Sequence, residues 1–245
     1  MREMPEGYVD LVVTSPPYPG ADMWQRGEDD LTQLNLAGLR EATRMVRENG
    51  VICWQVADIP NGNHGIVTTA TTTILAAKEL GLKMRAQIVW NKASSNLVPI
   101  CFMRRPVIPS LTHEFILVFF KGDWIPREKS SGLQGDKRWL TQSVWQIAPV
   151  RDNDHPAPFP LELARRCISF WSLENERVLD PFMGIGTTGL ACIKMCRDFV
   201  GIELNPVYFS EARRRIEEAQ LQMPLLPNYG MKPMPQQLTF EDGLK

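Results

Sequence analysis

The chain of 245 residues has little of several things that would assign it quickly. It holds only three histidines, and its five cysteines (Cys53, Cys101, Cys167, Cys192 and Cys196) form no CxxC pair and stand near no histidine at ligand spacing. Core thiols are therefore expected, with neither zinc sites nor disulfides and no metal. No apolar run reaches the roughly 18 residues of a membrane span, and no secretory pattern opens the chain, so a cytoplasmic protein without a membrane partner is expected. No glycine loop ends in Gly-Lys-Ser/Thr, which argues against P-loop phosphate binding. The one glycine turn that follows a strand-like segment is not read as a dinucleotide fingerprint. Repeats and low-complexity tracts are absent as well. Charge of one sign is also lacking: the formal net charge is -1, which does not advertise a nucleic-acid partner.

The average conceals a distribution. Residues 92–151 carry nine Lys and Arg (Lys92, Arg104, Arg105, Lys121, Arg127, Lys129, Lys137, Arg138, Arg151) against four Asp and Glu, while the flanking stretches are each acidic by three. A solvated loop region would also look like this.

What is present is ordinary in amount, with 44% hydrophobic and 22% charged residues, and ordered in pattern. Residues 8–14, 51–58, 84–92, 113–121, 177–182 and 198–204 read as strands, several of them apolar and β-branched enough to be covered on both faces. Residues 31–48, stopped by Asn49-Gly50, and 66–81, 160–172, 186–196 and 205–220 have helical spacing. Residues 122–154 lack clear periodicity and read as a mostly irregular insertion. The alternation predicts an α/β fold with a doubly wound, mainly parallel sheet, whose ligands bind at the carboxyl ends of the strands.

Two stretches sit at such ends. In "VLDPFMGIGTTGLA" (178–191), Gly184 and Gly186 let backbone approach a ligand, and Thr187 and Thr188 are expected to cap the helix. A plain tight turn is the alternative. The next strand ends in Glu203, about 20 residues on, where a carboxylate can accept from two ribose hydroxyls. Asn205-Pro206 then starts a helix. A nucleoside with little or no phosphate fits this set. In "VDLVVTSPPY" (9–18), two prolines end a strand. A proline donates no hydrogen bond, so the turn offers free carbonyls beside the Ser15 hydroxyl and the Tyr18 ring. Such a turn is commonly no more than a turn. It also suits an exocyclic amine on a nucleobase, a poor nucleophile whose lone pair acceptors around its N–H bonds would localise.

Taken together, these stretches resemble the S-adenosylmethionine-dependent amino-methyltransferases of DNA, which methylate the exocyclic nitrogen of cytosine or adenine. "TSPPY" resembles their catalytic motif, "DPFMGIGTT" their cofactor loop, "GIELNP" their ribose-binding acid, "HPAPFPLELARRCI" the segment preceding that loop, and "THEFILVFFK" a late strand. The catalytic motif precedes the cofactor loop, which resembles the family's beta-type circular order. That order differs from RNA and protein amide methyltransferases, and no Pro-Cys occurs such as cytosine ring-carbon methyltransferases use.

The resemblance implies a Rossmann-like methyltransferase sheet with an antiparallel late strand. It divides the chain into a catalytic half (1–121), a target-recognition insertion (122–154), a cofactor-binding half (155–222) and a tail (223–245). Ser15, Pro16, Pro17 and Tyr18 would be catalytic. His155, Pro156, Asp180, Pro181, Phe182, Gly184, Gly186, Thr187, Thr188, Glu203 and Asn205 would bind S-adenosyl-L-methionine. Arg104, Arg105, Lys129, Lys137 and Arg138 are candidates for phosphate contacts on double-stranded DNA, or are simply solvated. The target base would be flipped out of the stack, with Trp139 and Trp145 either stacking on exposed bases or packing beneath the loop. Serine at the first motif position favours cytosine N4, with adenine N6 as the alternative. A cognate restriction endonuclease would be a partner, and a monomer or homodimer is expected.

Relatives carry a short acidic segment upstream of the catalytic strand, and this chain begins only a few residues before it. A DNA-binding protein that retains the fold without methylating is the rival that this departure suggests.

Overall fold

From Val51 to Ala57 seven consecutive residues are buried, among them Ile52, Trp54 and Val56. A run without polar alternation is what a strand covered on both faces requires. It belongs to β2 (Val46–Val56), one of the inner strands of a seven-stranded sheet. The computed structural model describes residues 4–17, 28–60, 66–92, 112–125, 142–150 and 160–222.

The other elements in chain order are β1 (Val9–Thr14), α1 (Glu28–Met45), the two-residue strands β3 (Ile59–Pro60) and β4 (Ile66–Val67), α2 (Thr69–Glu79), β5 (Lys83–Asn91) and β6 (His113–Phe120). They continue with β7 (Val144–Gln146), α3 (Leu161–Trp171), β8 (Arg177–Asp180), α4 (Thr187–Lys194), β9 (Asp198–Gly201) and α5 (Pro206–Gln222). The sheet runs β7-β5-β6-β2-β1-β8-β9. Only β6 opposes its neighbours β2 and β5; every other pairing in the sheet is parallel. The expected doubly wound, mainly parallel sheet with one reversed late strand is what forms.

Two cores fill its faces. One joins Leu11, Val13, Val51 and Cys53 to Leu163 and Cys167 of α3, Ala191 of α4 and Ile216 of α5. The other joins Val12, Ile52 and Trp54 to Leu39 and Ala42 of α1 and Ala77 of α2. Cys53, Cys167 and Cys192 are buried free thiols, and Cys196 is a partly buried one.

Several boundaries differ from those the pattern predicts. Helix α1 ends at Met45, not at residue 48, because Val46 already pairs with Val9 of β1. Asn49 takes a left-handed backbone (φ 62°) inside β2, and its N–H reaches the Lys121 carbonyl at 3.0 Å. Sheet pairing thus outcompetes the last helical turn. Residues 66–67 form β4, and α2 starts only at Thr69. Its end is as expected, with Gly81 left-handed (φ 79°) and the Leu82 N–H on the Ala77 carbonyl at 3.0 Å. Within residues 122–154, Val144–Gln146 forms the edge strand β7, parallel to β5. Trp145 there is buried, with the Arg166 guanidinium 5.6 Å from its ring centre, so it packs in the core. Trp139 lies outside the described residues.

Candidate active site

Strands β1 and β8 are parallel neighbours, with Leu11 beside Val178 and Val12 beside Leu179. Both therefore end at the same edge of the sheet. Beyond β1 come Ser15, half-buried, and Pro16 and Pro17, buried; beyond β8 comes the glycine turn. Two stretches about 165 residues apart become adjacent.

Asp180 joins them. Its side chain is wholly buried, and the Thr14 hydroxyl donates to Oδ1 at 2.6 Å while the Thr188 hydroxyl donates to Oδ2 at 2.6 Å. The Phe182 N–H also donates to Oδ1, at 3.1 Å. Burial pushes this carboxyl up to about 6 from its ordinary 3.8, and the charge of Glu203 adds to the rise; the three donors pull the other way. Asp180 was expected to touch the cofactor. With no exposed surface and donors on both oxygens, its side chain instead links the end of β1 to the segment after β8 and to the first turn of α4. The expectation for the threonines changes as well. Gly186, left-handed at φ 82°, holds the N-cap of α4 without a side-chain bond, and Thr188 spends its hydroxyl on Asp180.

The turn itself is held from the next strand. Glu203 accepts the Gly184 N–H at 2.9 Å and the Asn205 N–H at 2.8 Å. A carboxylate has about four lone-pair sites, so about two remain for hydroxyls of a ligand. The Ile202 N–H reaches the Asp180 carbonyl and the Met183 N–H the Ile202 carbonyl, each at 3.0 Å. Asn205 caps α5 as expected, its Oδ1 accepting the Val207 N–H at 2.9 Å.

Gly184, Gly186 and Gly189 do stand at GxGxxG spacing, contrary to the reading that set that fingerprint aside. Gly189 serves packing, since a Cβ there would meet Ile216 Cδ1 at 2.5 Å and Phe199 Cε1 at 2.8 Å.

Phe182 is partly buried and is steadied by residues that the pattern did not single out. Its ring meets Trp54 edge-on, with centroids 6.2 Å apart, and the Trp54 Nε1–H donates to Asn35 Oδ1 at 2.8 Å. A Cβ on Gly38 of α1 would lie 2.6 Å from Phe182 Cζ. Thr14 was likewise missed, although a lone hydroxyl closing the apolar run "VDLVVT" was a usable signal.

A second polar cluster was missed at the same edge. Glu114 of β6 is buried, accepts from Gln55 of β2 and pairs with Lys92. Burial raises its carboxyl, and the Lys92 charge opposes the rise.

Pro181, Thr187 and Thr188 are buried; Gly184 and Glu203 are partly exposed and Asn205 is exposed. Tyr18, His155, Pro156, Arg104, Arg105, Lys129, Lys137 and Arg138 lie outside the described residues.

The family model described as DNA methylase, for N6 and N4 methyltransferases, matches residues 9–214. The chain belongs to this DNA methylase family. Two Type II methyltransferases are similar over most of its length. M.Cfr9I of Citrobacter freundii is 31% identical, covering 89% of this chain and 84% of its own. M.SmaI of Serratia marcescens is 32% identical, covering 84% of each. Among solved structures, the DNA modification methylase TTHA0409 of Thermus thermophilus matches with TM-score 0.73 and 26% identity, covering 91% of this chain and 92% of its own. It has also been solved with S-adenosyl-L-methionine. The PvuII DNA methyltransferase, a cytosine-N4-specific enzyme, shares the fold at TM-score 0.71 and 18% identity, covering 90% of this chain and 87% of its own.

This DNA methylase is thus an S-adenosylmethionine-dependent enzyme of the N4/N6 amino class. Its residues fit that cofactor: a partly exposed acid with free lone pairs, a glycine backbone beside it and a braced aromatic ring. Among the described residues no helix is long and apolar enough to cross a membrane.

Proposed function

We propose that this DNA methylase transfers a methyl group to the exocyclic N4 of cytosine in double-stranded DNA. The observation that carries the reading is the Ser15-Pro16-Pro17 turn, which directly follows a threonine bonded to the first residue of the cofactor loop. Ser15 Oγ and the Pro16 carbonyl accept from the two N–H bonds of the amine, and the Tyr18 ring stacks on the base. Acceptors so placed favour a pyramidal nitrogen with a localised lone pair, and no general base is needed to make it nucleophilic. Glu203 orients the donor through its ribose, and Gly184 and Phe182 shape the wall beside it. When bound, S-adenosylmethionine supplies an electrophilic methyl group. The protein's contribution is positioning, which can be worth ~7–11 kcal/mol of barrier.

An amine inside a stacked duplex cannot meet this turn, so the base is flipped out. Arg104, Arg105, Lys129, Lys137 and Arg138 neutralise phosphates while residues 122–154 contribute to target recognition. The same alignment with Type II methyltransferases makes a cognate restriction endonuclease the expected partner.

The choice of cytosine rests on Ser15 at the first motif position; aspartate there would favour adenine. DNA methylated by the enzyme is digested to nucleosides and weighed. N4-methylcytosine is expected, and methyladenine alone overturns the choice of base. In the same assay Ser15→Ala should bind the cofactor normally and lose most turnover. Turnover equal to that of the unaltered enzyme would remove Ser15 from its role.

A further inference from the structure

Asp180 is more thoroughly enclosed than a ligand contact needs to be. It accepts from Thr14, the last residue of β1, from Thr188 in the first turn of α4, and from the Phe182 backbone of the cofactor loop. Thr14 and Asp180 are 166 positions apart, and the two hydroxyl bonds at 2.6 Å are short enough to be charge-assisted. Thr188 also lies 3.5 Å from the Val13 carbonyl, so α4 touches β1 directly as well. Among the described residues, the side-chain hydrogen bonds that join the end of β1 to the cofactor loop and α4 therefore run through this carboxylate and its immediate donors.

We propose that Asp180 is a positioning residue that sets the placement of the Ser15-Pro16-Pro17 turn against the cofactor loop, so that donor and acceptor are aligned only while both threonine hydroxyls are held. This rests on the proposed role of the Ser15-Pro16-Pro17 turn. Asp180 touches neither reactant. An ionised carboxylate accepts from both hydroxyls and from Phe182. A protonated one must donate through one oxygen, and one threonine then loses its acceptor. The titratable groups that bear on Asp180 are Glu203 beyond β9, whose charge adds to the rise that burial causes, and the Cys192 thiol of α4, pushed up by burial first and by the Asp180 charge second. From β1 the packed residue is Thr14, and Arg215 of α5 is engaged by the Ile185 carbonyl at 2.8 Å.

Thr14→Val tests this, because it keeps the shape of the side chain and removes only the hydroxyl. The single-turnover methylation rate should fall on the order of 10- to 100-fold, with cofactor affinity changed by less than about three-fold. Thr14→Ser should restore the rate. The decisive reading is the acid limb of the rate. Loss of a donor that lowers the Asp180 carboxyl must move that limb to higher pH in Thr14→Val, and likewise in Thr188→Val. An unchanged rate, or a slower rate with the limb unmoved, overturns the proposal, since a threonine with only a packing role would not shift it. If Thr14→Val is too unstable to assay, Thr188→Val carries the same test of limb and rate. Ser15→Ala is assayed alongside. If it too is fully active, the reading of the turn has failed; if it is inactive while the threonine variants are normal, only the positioning role has.

Discussion

At the scale of single residues, Asp180 and Glu203 show how one functional group, the carboxylate, behaves differently in two surroundings. Glu203 is partly exposed, holds two backbone N–H groups and keeps lone pairs for a ligand. Asp180 is enclosed, and its ionised form is expensive. A carboxyl raised from 3.8 to about 6 in the folded chain makes the native state bind its proton more tightly than the unfolded state does. The associated stability is present in full below pH 4 and is lost as pH rises through 6, by about 3 kcal/mol. Asp180→Asn removes this titration. Its melting temperature relative to the unaltered protein should therefore climb between pH 4 and pH 7, while methylation falls. A difference independent of pH would contradict the buried, titrating state. Glu114, raised by burial beside Lys92, contributes in the same direction in both proteins and leaves the difference untouched.

At the scale of elements, helix α1 packs against the cofactor loop through Gly38. Gly38 lets the helix lie against Phe182, whose ring also meets Trp54 edge-on. Gly38→Ala should gain roughly 0.5–1 kcal/mol of helix propensity. The new methyl would nevertheless stand 2.6 Å from the ring, and because the obstacle is the far end of a side chain, the ring moves and the helix survives. The expected outcome is a protein at least as stable, with cofactor affinity weakened several-fold by calorimetry, since Phe182 leaves its place. Losing a well-packed contact to a bound partner costs about 1 kcal/mol or more, which corresponds to about five-fold in affinity. Unchanged affinity would mean that Phe182 does not line the donor's wall. The pattern made the glycine turn and the acid legible because both are local chemistry. Gly38 was illegible because its use depends on which ring the helix meets.

At the scale of the whole molecule, the early and late parts of the chain meet along β1 and β8, and the seam is fastened at both ends. Thr14 and Asp180 close it at the carboxyl ends of the two strands. At the opposite edge Asp10 accepts the Arg177 N–H at 2.8 Å and pairs with Arg47, which also reaches Glu176 at 3.0 Å. The Arg177 guanidinium lies 4.1 Å from the Tyr8 ring centre. A chain of net charge -1 has no general attraction for DNA, and the proposed phosphate contacts accordingly lie in the basic middle quarter. Arg104→Ala with Arg105→Ala should weaken DNA binding at low salt and reduce the slope of log affinity against log salt by about 2, at about 0.9 per phosphate contact. Cofactor affinity should stay as it was. An unchanged slope would assign both arginines to solvent.

By itself the sequence determined the strands with their buried runs, the Ser15-Pro16-Pro17 stretch and the glycine turn that follow two of them, and the carboxylate at Glu203. Each is written in local spacing and turn chemistry, and neighbouring residues suffice to enforce it. Only the tertiary structure decided where α1 yields to β2, that Val144–Gln146 joins the sheet, that Gly38 braces Phe182, and that Asp180 faces inward to Thr14 and Thr188. Those outcomes depend on sheet order and helix placement. A side chain's partner across a parallel pairing is set by which strands become neighbours, and no local pattern encodes that.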